Sequence, residues 1–449
     1  MPTTINGSGS ADFHTALPVA EGGTGATAST GSGNVVLSAS PTLTTPALGT
    51  PASGVVTNLT GTASININGT VGATTPAAAT VTSLNGGQLA GNRNKIINGD
   101  MRINQRHGTS TITLGSAATN TFVADRTRAF KGTSGGVMTG RKADASTLGG
   151  FYDCFEVKTT TAATASSGDI NAIWQAVEGF NFSDMSFGTA NAKSFTLSFW
   201  MHANTAGSYG VSFLGNMAQS NRSYTTAVTV SAGQANSWVQ HSVTVPGDTT
   251  GTGWVTADST NGVSMYVGIC DIGSGSAYET STADTWQAGN FKRKASDVKL
   301  ISVLNATIYI TGVQLEAGTV ATPFEHRSYG TELALCQRYY QQWGGDTAYG
   351  FFGGVSSCTT TSTAFHPMLC EVEMRANPSF AFVGAASVFD LRNDANGSHP
   401  LTGLAMDQST RKVVSITLTR SNADLTVNVP SQLIGNNSTA GRLELRAEL

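Results

Sequence analysis

The sequence predicts an all-β chain: an extended N-terminal shaft, an antiparallel β-sandwich of jelly-roll type, a short helical connector and a C-terminal β-rich domain. Three observations lead there. Composition changes abruptly near residue 91, where an almost uncharged, aromatic-poor stretch gives way to a mixed one. Beyond that point apolar and polar residues alternate with a period of two, the mark of strands with one buried face. Clusters of Gly, Asn and Asp punctuate these runs at short intervals, which is turn chemistry.

The first 91 residues carry two charged side chains, Asp12 and Glu21, one aromatic, Phe13, and six of the 12 prolines. Pro41, Pro46 and Pro51 recur every five residues. One copy of such a stretch buries too little apolar surface to offset about 1–2 kcal/mol of backbone entropy per residue. It is therefore either a disordered linker or a segment ordered by neighbours. Low charge argues against a solvated linker. The runs Val35-Val36-Leu37, Val55-Val56 and Ile65-Asn66-Ile67-Asn68 suit thin strands packed against copies of themselves in an oligomeric fibre. We assign residues 21–91 to this low-complexity shaft.

Residues 92–330 form the sandwich. Alternation is clear over Phe195–Met201, Val239–Val245, Val263–Ile269 and Ile308–Ile310. One stretch breaks the pattern: Leu333, Cys336 and Tyr340 stand at helical spacing behind Thr331, a suitable cap, so residues 331–345 are read as the connector. Strands resume at Met368–Met374, Val413–Leu418 and Leu443–Leu445, within a terminal domain spanning 346–449.

Charged residues make up 12% of the 449, with a net charge of −3. A nucleic-acid binder needs a basic stripe, and the nearest approach, Lys292-Arg293-Lys294, reads as a solvated turn. The longest nearly apolar run, Phe380 to Phe389, is about half of the ~20 residues a spanning helix requires, so no membrane insertion is expected. The opening Met1-Pro2-Thr3-Thr4-Ile5-Asn6 has no basic and apolar regions of a secretion signal. Five cysteines, Cys154, Cys270, Cys336, Cys358 and Cys370, read as reduced, mostly buried thiols, the alternative being a Cys358–Cys370 bridge across neighbouring strands.

Catalytic patterns are weak. In a strand, Glu371 and Glu373 would share one face with Cα atoms about 6.5–7 Å apart, near the spacing of an inverting carboxylate pair. Arg375 continues that face and could pair with Glu373, which favours a solvated strand. Gly132-Thr133-Ser134-Gly135-Gly136 satisfies a nucleophile-elbow pattern, but the flanks read as two strands of a hairpin, not strand and helix. No two of the seven histidines lie within four residues, and no calcium loop is present. No catalytic residue, metal site or cofactor is assigned.

Several segments carry a resemblance. Leu17 to Thr27 and Gly33 to Pro46 are similar to shaft segments of tailed-bacteriophage tail fibres. Asn94-Lys95-Ile96-Ile97-Asn98-Gly99-Asp100-Met101-Arg102-Ile103-Asn104-Gln105-Arg106 resembles the opening of the first globular domain of such fibre and minor tail proteins. Pro246 to Trp254, Thr285 to Phe291, Tyr309 to Gly318, Ala321 to Tyr329 and Glu332 to Tyr340 look like that family's later landmarks, in order; beyond Tyr340 only Glu371 to Pro378 does. The resemblance implies a homotrimeric virion fibre located in the tail. Residues 1–20 would attach to a tail or baseplate protein, and the distal end would meet a host surface polysaccharide.

Glycan recognition needs exposed aromatic faces with amides or carboxylates nearby. The best local concentration is the glycine-rich stretch holding Trp343, Asp346, Tyr349 and Phe351, which we take as the candidate glycan-binding residues. For Trp343 and Tyr349 the competing role is packing against the connecting helix, and Trp254 and Trp286 read as scaffold. Two other classes remain open. A tailspike-like glycan depolymerase lacks a compelling acid pair and long β-helix repeats, and a bacterial adhesin with a carbohydrate-binding module would need a secretion signal.

Overall fold

The computed structural model describes residues 91–115, 121–132, 135–215, 221–250, 254, 263–392 and 399–448. All belong to one compact unit, Thr80–Leu449. The attachment segment and the shaft up to residue 90 lie outside the described residues.

The sandwich contains β1 (Ile112–Thr113), β2 (Thr121–Ala124), β3 (Thr127–Lys131), β4 (Val137–Asp144), β5 (Asp153–Thr161), β6 (Asn171–Glu178), β7 (Phe195–Ala203), β8 (Gly207–Gly215), β9 (Arg222–Val230), β10 (Trp238–Val245), β11 (Val263–Asp271), β12 (Trp286–Ala288) and β13 (Thr307–Ala317). They form two antiparallel sheets, β1-β4-β5-β13-β7-β10 and β12-β9-β8-β11-β6-β3-β2. The chain passes repeatedly from one sheet to the other, as expected of an all-β jelly roll. Period-two alternation explains the core. Phe155, Val157, Leu197, Phe199, Met201, Ile308 and Ile310 of one sheet meet Ile173, Val211, Phe213, Met265, Val267 and Ile269 of the other, all buried.

The hairpin expected around Gly132–Gly136 is not formed. β3 pairs with β2 and β6, whereas β4 pairs with β1 and β5, so the glycine segment crosses between sheets. The physical reason is shared burial: Ala129 on β3 and Met138 on β4 both enter the core from opposite sides. Lys292 and Arg293 also depart from the expected solvated turn. Arg293 is wholly buried, pairs with Asp271 and donates to the Asp297 carbonyl, and Lys292 lies 5.5 Å over the Trp174 ring. Burial lowers the Lys292 pKa to about 8.

The opening motif acts as a stitch. Asn94 Oδ1 accepts from the amides of Ile96 and Leu315, and its Nδ2 donates to the Val313 carbonyl. A Cβ on Gly99 would stand 2.1 Å from the Val313 carbonyl oxygen, so this close approach needs glycine.

The connector is α1 (Tyr329–Gln337), capped by the Ser328 side chain, which accepts from the Thr331 amide. Ser328 rather than Thr331 caps it because the helix starts earlier than the apolar spacing indicated. Leu333 and Cys336 pack with Ile97, Ile103 and Tyr339. Tyr340 has already left the helix for a strand. The terminal module comprises β14 (Tyr340–Gly344), β15 (Ser356–Cys358), β16 (Thr363–Leu369), β17 (Ser379–Val383), β18 (Phe389–Arg392), β19 (Gly403–Ser409), β20 (Val413–Thr419), β21 (Pro430–Gly435) and β22 (Arg442–Arg446). Its sheets run β14-β22-β17 and β18-β21-β15-β16-β20-β19.

The strand expected to reach Met374 ends at Leu369, so Glu371 and Glu373 share no strand face. The chain turns away because Met374 donates its amide to the Arg411 carbonyl and Arg375 donates its own to Arg338. Glu373 pairs with Arg411 at 2.9 Å and not with Arg375, which is buried and donates to the Ala447 carbonyl at 2.9 Å. All five cysteines are free; Cys358 Sγ lies 3.4 Å from Ser431 Oγ.

Sandwich and terminal module are joined by a buried charge cluster. The Glu448 carboxylate meets Arg106 at 2.8 Å and also Arg126. Burial would raise its pKa, but the two guanidiniums outweigh that and hold it below the usual range. Arg106 lies 3.6 Å over the Tyr340 ring and Arg126 3.6 Å over Tyr339. Glu178 of β6 accepts from Arg338 and from the Tyr339 hydroxyl, each at 2.8 Å.

Candidate functional site

The structure separates the four residues singled out in the sequence. Trp343 stands on β14 and is half-buried against the core of the terminal module, with Leu443 as its strand partner. The packing partner is thus a β core rather than the connecting helix. Asp346, Tyr349 and Phe351 lie on the loop that follows, all exposed, Tyr349 to 54% and Phe351 to 66%. The loop is tied down where Phe352 donates its amide to the Leu433 carbonyl. Trp254 and Trp286 pack edge to face at 5.5 Å beside Phe187, and their indole N–H groups donate to Asp248 and the Pro246 carbonyl.

A second and larger concentration of aromatic and polar groups lies on the outer face of β1-β4-β5-β13-β7-β10. Since Phe199 and Met201 enter the core, Trp200 and His202 face outward on β7. Register sets Gln240 and Thr311 beside Trp200, and Trp238 and Tyr309 beside His202. The His202 ring stands 5.7 Å from Trp238 and 5.3 Å from Tyr309. Further along, Tyr309 adjoins Glu156, which accepts from Arg141 at 2.8 Å.

Two clefts open on this face. The first, about 610 Å³, is lined by Trp200, Phe151 and Phe324, by Ser198, Gln240, Ser242 and Thr322, and by His241 and His326. Gly312 makes it possible. It lies in a bulge of β13 at φ +61°, and a Cβ there would stand 2.7 Å from the Phe151 ring and 3.1 Å from Trp200. Phe151, Phe324 and His326 pack against one another at 4.9–5.5 Å. His241 is buried, which lowers its pKa, and its Nε2 has no hydrogen-bond partner. The second cleft, about 490 Å³, shares Gly150, Phe151 and His326 with the first and adds Asp100, Arg102, Lys142, Tyr152, Asp153 and Tyr329.

Such an arrangement can stack aromatic rings on the C–H faces of a sugar while hydroxyls and an amide meet its hydroxyl groups. Among the described residues, no cluster of three His, Cys, Asp or Glu side chains is disposed to hold a metal ion.

No family profile matches this chain, and neither does any curated protein. Solved structures with some likeness include the enzymatically active domain of tailspike protein 4 from bacteriophage CBA120, at 12% identity and a TM-score of 0.22 over 50% of this chain. The match spans about a fifth (21%) of that structure's own length. The family 11 carbohydrate-binding module from Clostridium thermocellum, solved with a mixed-linked tetrasaccharide, matches at 11% identity and 0.22, covering 49% of this chain and 99% of the module. The tandem CBM22 domains of Paenibacillus barcinonensis Xyn10C match at 8% and 0.22, covering 76% of this chain and 99% of theirs. At these scores the likeness carries no argument, and the site is read from its own residues.

Proposed function

We propose that this chain is a bacteriophage tail fibre, a homotrimeric virion protein that attaches to a host surface glycan without cleaving it. Residues 1–20 would hold a tail or baseplate protein, residues 21–91 would form the trimeric shaft, and the β modules would be carried outward. The observation that carries the glycan reading is the first cleft on the sandwich face, with Trp200 beside Gln240, Ser198 and Ser242. Its lining holds no carboxylate, so it offers no Asp/Glu pair of the kind most glycoside hydrolysis uses. The exposed loop with Asp346, Tyr349 and Phe351, next to Trp343, would be a second contact. The shaft composition and the ordered blocks of resemblance support the fibre assignment. Three copies would make several weak glycan contacts act together.

The test is to incubate the purified protein with host envelope polysaccharide and measure retention and fragment release together. Retention without fragments is expected. Release of oligosaccharides would favour a depolymerase, and a compact single-copy species in sedimentation would remove the fibre.

A further inference from the structure

The two clefts on the sandwich face have a shared charge pattern. No Asp, Glu, Lys or Arg lines the first. The second holds two cations and two carboxylates, but each is already matched: Arg102 with Asp100, and Lys142 with Asp153 at 3.1 Å. Lys142 Nζ also donates to the Arg102 carbonyl at 3.0 Å. On the same sheet, Arg141 and Glu156 are paired with each other in the same way.

A uronate or phosphate group entering the first cleft would lose water and meet no cation. In the second it would have to displace a carboxylate from a cation that the carboxylate already satisfies. A hydroxyl-bearing ring meets neither obstacle. The two clefts also meet at Phe151 and His326, whose ring centres are 5.5 Å apart, so a chain can pass over this ridge without leaving the surface. Aromatic platforms stand on both sides: Trp200 on the near side, and Tyr152 and Tyr329, exposed to 82% and 57%, on the far side.

We infer that the ligand of this face is an uncharged pyranose oligosaccharide, long enough to cross the Phe151–His326 ridge from one cleft into the other. The inference rests on the glycan-attachment reading and adds charge and length to it.

The experiment is titration calorimetry of the full chain at low and high salt. The probes are a length series of neutral hexose oligosaccharides from bacterial envelope polysaccharide and a matched series containing uronates. The neutral series is expected to bind, to gain affinity with length, and to change less than about twofold with salt, since no screened charge is involved. Trp200→Ala should lower affinity about tenfold at every length. Tyr152→Ala, at an exposed position that leaves folding intact, should abolish the gain with length and spare the shortest ligands. Preferential, salt-sensitive binding of the uronate series would overturn the inference while leaving glycan attachment standing. Neutral binding that ignores both length and Tyr152→Ala would overturn the two-cleft path. If neither series binds, the attachment reading itself falls and takes this inference with it.

Discussion

Trp200 and Tyr309 each sit between core residues in sequence, and strand parity turns them to the outer face of the sheet. This was legible in the alternating runs: once Phe199, Met201, Ile308 and Ile310 are placed inside, an aromatic residue between them must face out. Reading loops for glycine-flanked aromatics found Tyr349 and Phe351 instead. What the sequence hides is that β7 lies between β10 and β13, because the pairing with β13 joins residues more than a hundred positions apart, such as Trp200 and Thr311. A second residue-scale consequence concerns His366, buried beneath the terminal sheet with Nδ1 2.9 Å from Ser356 Oγ. Burial lowers its pKa to about 4, below the ordinary 6.5. The unfolded chain therefore binds the proton first, and stability contributed by the neutral ring is lost as pH falls from about 6.5 to about 4. In urea titrations, the stability difference between the wild type and His366→Gln should move by roughly 2–3 kcal/mol in favour of the variant over that range. An unchanged difference would contradict this account.

At the scale of elements, the bulge in β13 has the clearest consequence. Gly312 lets Phe151 and Trp200 press against bare backbone. Gly312→Ala combines a left-handed φ with two ring contacts, so it should cost about 1–3 kcal/mol in chemical denaturation and weaken glycan retention. Equal stability and equal retention would show that the ring pair tolerates the methyl group. Periodicity revealed the helix and several of the strands, but not their ends. The helix begins just after Ser328 because that hydroxyl satisfies the Thr331 amide, and β16 stops at Leu369 because the Met374 and Arg375 amides are drawn to the Arg411 and Arg338 carbonyls. The Arg375 side chain was misread because an arginine at position 375 gives no local sign of a partner at residue 447. The glycine segment after β3 was misread similarly, since a hairpin and a crossing between sheets have the same turn chemistry, and only the shared core distinguishes them.

At the scale of the whole molecule, the junction centres on the Glu448 carboxylate facing two buried guanidiniums. Glu448→Ala would leave Arg106 and Arg126 without that partner in a desolvated site, an expected loss of about 3–5 kcal/mol. Calorimetry should then resolve separate melting of the sandwich and the terminal module. A single unshifted transition would show that the apolar contacts suffice. Glu178 with Arg338 and Tyr339 forms a second link, so Glu178→Gln should weaken the same junction to a smaller extent, read as a smaller separation of the two transitions.

The Arg126–Glu448 contact joins residues 322 positions apart. On the ribosome, Arg126 emerges long before its counter-ion has been translated, and until then its guanidinium has to stay hydrated. The sandwich of a nascent chain therefore cannot close this seam until Glu448 has emerged. Docking of the terminal module onto the sandwich is thus a late event in folding, set by the order in which the two halves of the ion pair are made.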